Sequence, residues 1–428
     1  MPGPTLREGR SGRARDDRGK IYLGKVARAV AYGALSGFLF LYLTDDIGLS
    51  GFGALVLTAF TLVGAAAWSL LGVSPLEARL GRRGAIRVFC LLFVLSAAIL
   101  FLVAVPAAIL AAALLGGVAA ASADNGPLAS LDTAILPSTL RRSDRAEAFA
   151  WYNLLAYFAS AGGALLLVVP GALSPRAIPF LPAAPHPWIL LLYLLLAGMT
   201  AFAYWDLSPA VESEAGTGAA SEPLSPMSRR HVRDMAILFG VDAFAGGLVI
   251  NPLIAAYFVY AWNADAAQIG LILAITGAIA GVSFLASSRL ARRFGLLNTM
   301  VFSHLPSNIL LALVPLMPTF GLALGVLAAR SSLSQMDVPT RQAYTMSLVS
   351  ARERTAAAGT LSASRGFAQS IAPFPASAFE VGGYLALPFI LAGAMKVAYD
   401  LLVYRRFRSV PLPDEPVDPT SSPSAPPR

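Results

Sequence analysis

The sequence has little charge and few residues of the kinds that build enzyme or metal sites. Only 13% of its 428 residues are Asp, Glu, Lys or Arg, against about a quarter in soluble domains. It contains three histidines and one cysteine, Cys90, which lies in an apolar stretch and is interpreted as a small hydrophobic residue. No part of it resembles a nucleotide-binding loop, a metal-binding cluster or a catalytic triad. We therefore expect neither an enzyme nor a cofactor.

What the sequence has in abundance is long apolar runs. Apolar residues make up 56% of the chain, and runs of about 20 of them, enough to cross about 30 Å of hydrocarbon, recur throughout. The pattern predicts an all-α integral membrane protein with twelve transmembrane helices. The predicted spans are 26–44, 52–72, 85–105, 107–136, 146–170, 187–206, 235–258, 267–290, 296–316, 318–347, 355–379 and 384–404.

The net charge of +8 reflects membrane topology rather than nucleic-acid binding, because the basic residues lie on alternate loops. The predicted loops of the opposite side contain one basic residue, Arg176. Basic residues concentrate on the cytoplasmic side of membrane proteins, so both termini are expected in the cytoplasm of a multi-pass cell (plasma or inner) membrane protein. The basic loop residues are Arg79, Arg82, Arg83, Arg87, Arg141, Arg142, Arg145, Arg229, Arg230, Arg233, Arg289, Arg292, Arg293, Arg352 and Arg354.

Two polar stretches divide the chain into parts. Residues 207–234 are rich in Ser, Gly, Pro and Glu, as in a flexible linker, and residues 405–428 are Pro-rich and predicted to be disordered. The predicted organisation is a cytoplasmic N-terminal tail, a six-helix bundle, the cytoplasmic linker, a second six-helix bundle and a cytoplasmic tail. The boundaries are 1–25, 26–206, 207–234, 235–404 and 405–428.

The two halves repeat one another. "LEARLGRR" at 76–83 follows the second span and "LARRFGLL" at 290–297 follows the eighth, 214 residues later. A second match aligns the stretch from Asp132 with the stretch from Arg341, 209 residues later. Repeats of this kind are typical of membrane transporters.

At these residues the chain resembles the major facilitator superfamily of twelve-helix secondary transporters. Within it, "GLLNTMVFSHLPSNILL" at 295–311 and "SLSQMDVPTRQAYTMSLV" at 332–349 resemble a group of prokaryotic permeases. The family's basic loop after the second span is matched at Ser74, Leu76, Ala78, Arg79, Gly81, Arg82 and Arg83. Its first Gly and its Asp are replaced, and Glu77 lies one position from the missing Asp. The resemblance implies a cytoplasmic gating loop of Glu77, Arg79, Gly81, Arg82 and Arg83. These arginines can equally serve only to fix topology.

Charged residues at membrane depth are costly and are therefore candidates for a transport site. The tenth span contains four polar residues with successive spacings of four, three and four: Arg330, Ser334, Asp337 and Arg341. These spacings place them on one helical face. Pro339 predicts an interruption of this helix. Asp337 and Arg341 are expected to pair, either as part of a substrate cavity or as a static pair that fixes the packing of the helix.

The fourth span is the counterpart of the tenth and is interrupted at Gly126 and Pro127. Asn125 and Asp132 share a face there, and we expect Asp132 to meet Arg341 at the cytoplasmic side. Lys396 and Asp400 are interpreted as a pair that reaches toward the cytoplasm, and His304 as a packing residue or a proton carrier. The predicted substrate and ion-coupling cavity comprises Asn125, Asp132, Asp242, Asp337, Arg341, Gln342 and Arg365.

These features predict a secondary active transporter that works by alternating access. Burial favours the protonated form of a carboxylate and a nearby arginine favours the ionised form, so Asp132 or Asp337 is a candidate proton-coupling group. Family frequency favours proton-coupled efflux of a small organic solute by a monomer that binds protons, the solute and lipid but no nucleic acid. The alternatives are an uptake permease or uniporter, or a non-transporting sensor or assembly protein.

Overall fold

The computed structural model describes residues 4–118, 126–139, 145–168, 186–212, 224–349 and 353–410. Within these ranges the regular structure is helical, with no strand. The α-helices of the N-terminal half are α1 (Pro4–Leu41), α2 (Gly51–Ala67), α3 (Val73–Leu102), α4 (Pro106–Leu114), α5 (Pro127–Ile135), α6 (Arg145–Leu165) and α7 (His186–Trp205). Those of the C-terminal half are α8 (Pro226–Gly247), α9 (Asn251–Trp262), α10 (Ala266–Phe294), α11 (Leu296–Leu313), α12 (Phe320–Leu333), α13 (Asp337–Ser347), α14 (Arg354–Ile371), α15 (Pro373–Val381) and α16 (Leu387–Phe407).

The described helices follow the twelve predicted spans closely, and the fold is that of an all-α membrane protein. Seven helical stretches of the described part are long and apolar enough to cross a membrane. The largest difference is at the start, where α1 begins at Pro4 although the apolar span begins at 26. Apolar composition marks the part that lies in lipid, and no proline after Pro4 interrupts the polar residues that precede it.

Four spans are built from two helices each, and a proline begins or closely follows the start of the second helix in every case. The expected interruptions lie before Pro127 and between Leu333 and Asp337, with Pro339 in the first turn of α13. The breaks before Asn251 and Pro373 were not predicted. A proline is tolerated in the first turn because the backbone N–H groups of that turn have no partner within the helix.

The two halves repeat the same packing. In the N-terminal half α1 packs against α6 and α3 against α7, and in the C-terminal half α8 packs against α14 and α11 against α16. Gly33 and Gly247, 214 residues apart, each permit one of these close approaches. A Cβ at Gly33 would lie 2.0 Å from the Ser160 carbonyl oxygen, and one at Gly247 would lie 2.6 Å from that of Gln369. The internal repeat of the sequence is therefore a repeat of helix packing.

The halves meet along α6 and α10, and also at the end of the bundle remote from Lys20 and Arg406. The rings of Phe40 and Tyr260 lie 5.8 Å apart, and those of Phe60 and Phe374 lie 5.4 Å apart. We call the opposite end, which holds Lys20, Asp206, Asp234 and Arg406, the terminal face. Toward the terminal face α5 packs against α3, and α13 packs against α10 and α11, so that each stays with its own half.

Candidate functional site

A cavity lies between the two halves and is walled by both of them. Its empty volume is about 580 Å³, including the part that is open to solvent. Polar groups from the two halves meet across it, since Tyr157 donates to Gln335 Oε1 at 2.8 Å and Asn251 donates to Ser36 Oγ at 3.3 Å. We call this the central cavity. Its wall comprises Gly33, Ser36, Tyr157, Ser160, Ala164, Asn251, Ile254, Leu273, Thr276, Gly277, Ala280, Leu327, Arg330, Ser331, Ser334 and Gln335.

The interruption of the tenth span supplies the polar part of the C-terminal wall. Because α12 ends at Leu333 and α13 starts at Asp337, Ser334 and Gln335 occupy the break and line the cavity together with Arg330 one turn earlier. Irregular backbone at membrane depth is tolerated where protein or a water-filled cavity satisfies it. The sequence pattern therefore located the break and two members of the polar stripe, Arg330 and Ser334, at the cavity.

The C-terminal half holds a cluster of five charged side chains, four of them buried and Arg365 partly exposed. We call it the C-half cluster: Asp242, Asp337, Arg341, Arg365 and Lys396. Asp242 is its centre, 2% exposed. Lys396 Nζ lies 2.5 Å from its Oδ1, and Arg365 Nη1 and Arg341 Nη1 lie 2.8 Å and 3.4 Å from its Oδ2. Arg341 also donates to Asp337 Oδ2 at 2.6 Å. One carboxylate thus shares three cations that come from three different helices.

A second buried group adjoins the C-half cluster. His304 Nδ1 lies 3.0 Å from Asp400 Oδ1, and its Nε2 lies 3.9 Å from Asp242 Oδ1. Asn308 donates to Asp400 Oδ2 at 2.8 Å. The histidine ring therefore binds Asp400 through Nδ1 and places Nε2 near Asp242, beyond hydrogen-bond distance.

The N-terminal half buries its own cluster, which we call the N-half cluster: Arg28, Asp132, Tyr152 and Tyr204. Arg28 and Asp132 are 0% exposed, with Nη2 and Oδ2 2.5 Å apart. Tyr152 and Tyr204 donate to the same carboxylate, each at 2.8 Å. Arg28 also donates to the Tyr204 hydroxyl at 2.8 Å. Four helices, α1, α5, α6 and α7, contribute one member each.

The structure brings together some of the predicted site residues and separates others. Asp337 and Arg341 form the expected pair, and Asp242 and Arg365 join them. The expected contact of Asp132 with Arg341 does not form, because Arg28 and two tyrosines occupy the Asp132 carboxylate. Gln342 is exposed, and Asn125 lies outside the described residues.

The charged residues of the predicted substrate and ion-coupling set do not line the central cavity, and their role in transport stays a prediction. Asp132, Asp242, Asp337, Arg341 and Arg365 are absent from the wall of the central cavity. The physical reason is that each is drawn into an ion pair within its own half, which lowers the cost of burying its charge. They support the two halves behind the cavity wall.

The interpretation of Lys396 and Asp400 as a pair that reaches toward an aqueous face was wrong. Both are buried, at 7% and 1% exposure. Lys396 binds Asp242 on another helix, and Asp400 accepts from His304 and Asn308. Spacing along one helix could not reveal these partners, which depend on packing between helices.

The predicted gating loop forms a tight turn at Gly81, which has φ +70° and ψ 174°. The Arg82 and Arg83 amides donate to the Glu212 carboxylate at 2.9 and 3.0 Å. Glu77 lies 3.4 Å from Arg82 Nε, and Arg79 is exposed. Among described contacts, the acidic partner of the loop is thus Glu212, from the start of the linker, which the sequence did not single out.

Two cluster residues lie outside the predicted cavity set. By sequence, Arg28 is a secondary candidate on one face of the first span, and Lys396 is interpreted as a partner of Asp400. Arg28 and Asp242 are 214 residues apart, the same separation as the two basic loops, so the repeat pairs Arg28 with Asp242 as it pairs Asp132 with Arg341. The repeat therefore carried the signal for Arg28. Nothing of the kind identifies Lys396.

Comparisons with known proteins agree with this architecture. The family model described as Major Facilitator Superfamily matches residues 21–373. An uncharacterized membrane protein of Saccharomyces cerevisiae, YJR124C, is 22% identical over 329 residues, which cover 70% of this chain and 73% of the yeast protein.

Solved structures show the same fold. The nucleoside transporter NupG superposes with a TM-score of 0.67 at 13% identity, covering 92% of this chain and 99% of that one. An auto-inhibited POT family peptide transporter gives 0.68 at 12% identity, covering 94% and 98%. A bacterial homologue of the iron transporter ferroportin, in an inward-facing state, gives 0.65 at 16% identity, covering 90% and 98%.

The helical architecture, the repeated halves with a cavity between them and the match over most of the chain lead to one assignment. The protein is a multi-pass membrane transporter and not an enzyme, and it belongs to the Major Facilitator Superfamily.

Proposed function

We propose that the protein moves a small organic solute across a cell membrane by alternating access, with the central cavity as its solute site. The observation that carries the proposal is that both halves contribute polar groups to one cavity, through Ser36 and Tyr157 on one side and Asn251, Arg330 and Gln335 on the other. A site shared by two rigid halves changes its exposure when the halves tilt, because its walls belong to different moving bodies.

The orientation in the membrane follows from the charges. The terminal face carries the basic loops, so we place it and both termini in the cytoplasm. The ring contacts of Phe40 with Tyr260 and of Phe60 with Phe374 then close the external side, whereas α5 and α13 each pack within their own half toward the cytoplasm. This arrangement corresponds to an inward-facing state.

We place proton coupling at the C-half cluster, with Asp242 and Asp337 as the carboxylates concerned. Asp242 shares three cations, and the side chain of Arg365, one of them, is 30% exposed, so its partners can exchange when the helices move. Departure of a cation favours protonation of a buried carboxylate. Asp132 is a poorer candidate than the sequence suggested, since one arginine and two tyrosines bind it without exposure to solvent.

The proposed direction is efflux, for which family frequency is the only support. A reversed pH gradient in proteoliposomes separates the possibilities. Outward movement of solute driven by inward proton flow supports an antiporter, whereas uptake with protons indicates a symporter, and movement insensitive to the gradient indicates a uniporter.

The transport proposal itself is tested in two steps. Ligands are first sought by thermal shift of the purified protein at pH 5.5 and 7.5, about one unit either side of the histidine value. Each ligand is then tested for flux in proteoliposomes. Asp242→Asn should abolish gradient-driven accumulation, and Asp45→Asn, at an exposed residue remote from both clusters, should not. Ligands that bind but never cross the membrane would contradict transport.

A further inference from the structure

We infer that the transported solute is an organic anion and that Arg330 binds its negative group in the central cavity. The inference rests on the proposed function, because it names the class of solute for the same cavity. It begins from the electrostatic situation of one side chain.

Arg330 is a cation without a partner among the described residues. No described carboxylate lies within 4.0 Å of its guanidinium, and its Nε is buried with no hydrogen-bond acceptor. A buried charge is normally paired, because leaving water costs it several kcal/mol. Arginine in particular presents a planar fork of donors that matches carboxylate and phosphate oxygens. An unpaired arginine in the wall of a cavity therefore fits an anion that enters from outside the protein.

The neighbouring carboxylates are already engaged elsewhere. Asp337 binds Arg341, and Asp242 binds Lys396, Arg365 and Arg341. Asp400 accepts from His304 and Asn308. The C-half cluster, Asp400 and Arg330 together contain four cations and three carboxylates, so one positive charge remains when His304 is neutral, and Arg330 is the cation without a carboxylate.

The rest of the cavity wall suits the remainder of a small organic molecule. Tyr157 and Gln335, which bind each other, offer a hydroxyl and an amide near Arg330 along the same wall. Ile254, Leu273 and Leu327 supply apolar surface. A few placed polar groups among apolar ones are typical of small-molecule sites.

The charge preference of the cavity is measurable before any solute is known. Cys90 is the only cysteine, so Cys90→Ala gives a background without thiols, in which Thr276→Cys places one in the cavity wall. The Thr276 hydroxyl bonds only within its own helix, so its loss is mild. Two methanethiosulfonates of similar size, one bearing a sulfonate and one a trimethylammonium group, then label the purified protein. Ser409→Cys, exposed just beyond α16, provides the reference rates.

For each reagent, the labelling rate of the cavity thiol is divided by that of the Ser409→Cys reference. We expect this ratio to be larger for the sulfonate reagent than for the cationic reagent. Arg330→Gln should reduce that preference about tenfold, the order expected for one unit charge at close range in a partly polar medium. Arg330→Lys should retain most of it, and Arg292→Gln, an exposed arginine at the end of α10, should not change it. Arg330→Gln should also unfold at a temperature no lower than the parent, because it removes an unpaired charge.

The outcomes separate this inference from the proposed function. The anion proposal would be wrong if both reagents label the cavity thiol at equal rates relative to the reference, or if the preference for the sulfonate persists in Arg330→Gln. Either result would still show an accessible cavity and would not contradict the transport proposal. A cavity thiol that neither reagent labels would overturn both proposals, since no solute could then reach Arg330.

Discussion

The N-half cluster and the C-half cluster each centre on one buried aspartate, but they hold it in opposite ways. Asp132 has one cation and two tyrosine hydroxyls, all fully buried. Asp242 has three cations on three helices, one of them partly exposed. In the first arrangement one carboxylate binds one cation and two neutral hydroxyls, whereas in the second one carboxylate is shared by three cations. The difference suggests a fixed support in one half and an exchangeable set of pairs in the other.

The internal repeat makes this comparison closer. Arg28 corresponds to Asp242 and Asp132 corresponds to Arg341, so both halves join equivalent positions by an ion pair of reversed polarity. The Arg28–Asp132 distance is 2.5 Å and the Arg341–Asp242 distance is 3.4 Å. In the C-terminal half Asp337, Arg365 and Lys396 compete for the equivalent partners. The same ancestral position thus serves a tight pair in one half and a shared one in the other.

The largest effect is expected from breaking the tight pair. Asp132→Asn removes the carboxylate charge to which Arg28, Tyr152 and Tyr204 all donate, and it should lower the free energy of unfolding by about 3–5 kcal/mol. Arg28→Met combined with Asp132→Leu removes both charges and should recover most of the loss, because apolar replacement of a buried pair is often neutral. Thermal and denaturant unfolding of the purified protein measure both. A double variant as unstable as the single one would contradict a purely structural pair.

The second prediction applies the same double replacement to the other cluster. Asp242→Leu combined with Lys396→Met should leave a folded protein but reduce gradient-driven flux at least about tenfold, because the exchangeable carboxylate is gone. The matched control is the Arg28→Met and Asp132→Leu variant, which should retain flux. Equal flux in the two double variants would remove the distinction between the clusters.

The sequence predicted the helices well because membrane spans depend on local composition. The eight predicted spans without an interruption were located from apolar composition alone. The break before Asp337 was expected from Pro339. The breaks before Asn251 and Pro373 were missed although Pro252 and Pro373 lie beside them, because a proline permits a break but does not require one.

The candidate site was less predictable because it depends on which helices touch. The pair of Asp337 with Arg341 followed from a spacing of four residues, but Asp242 and Lys396 are separated by 154 residues. The predicted cavity charges Asp132, Asp242, Asp337 and Arg341 are buried, yet they pair within their own halves. Arg330, which shares the stripe, lies in the cavity wall, and no carboxylate of the described residues lies within 4.0 Å of its guanidinium. Spacing predicts contacts along one helix, and only packing decides contacts between helices.

A moderate loss of stability is expected when one of the two carboxylates of the C-half cluster is neutralised and the other is kept. Asp337→Asn removes the 2.6 Å bond to Arg341, but Arg341 keeps Asp242 at 3.4 Å. A charge-assisted hydrogen bond contributes about 1.5–3 kcal/mol, so the unfolding free energy should fall by that order, less than for Asp132→Asn. Unfolding of both variants beside Asp45→Asn provides the ranking. A loss from Asp337→Asn equal to that from Asp132→Asn would mean that the C-half cluster does not redistribute its partners.

The smallest expected effect is a difference in unfolding free energy between equivalent substitutions in the two basic loops of the repeat. Gly81 and Gly295, 214 residues apart, both have positive φ, at +70° and +81°, with extended ψ values that suit glycine almost alone, so Ala should cost about 1–3 kcal/mol at either position. A Cβ at Gly81 would also lie 2.7 Å from Glu212 Oε2, whereas one at Gly295 meets nothing within 4 Å. Gly81→Ala should therefore cost about 1 kcal/mol more, the contribution of the displaced Glu212 hydrogen bonds. Adding Glu212→Ala to each variant checks the reason, because in that background the two glycine substitutions should become equally costly. If the difference persists there, the constraint at Gly81 lies in the backbone turn and not in its contact with the linker.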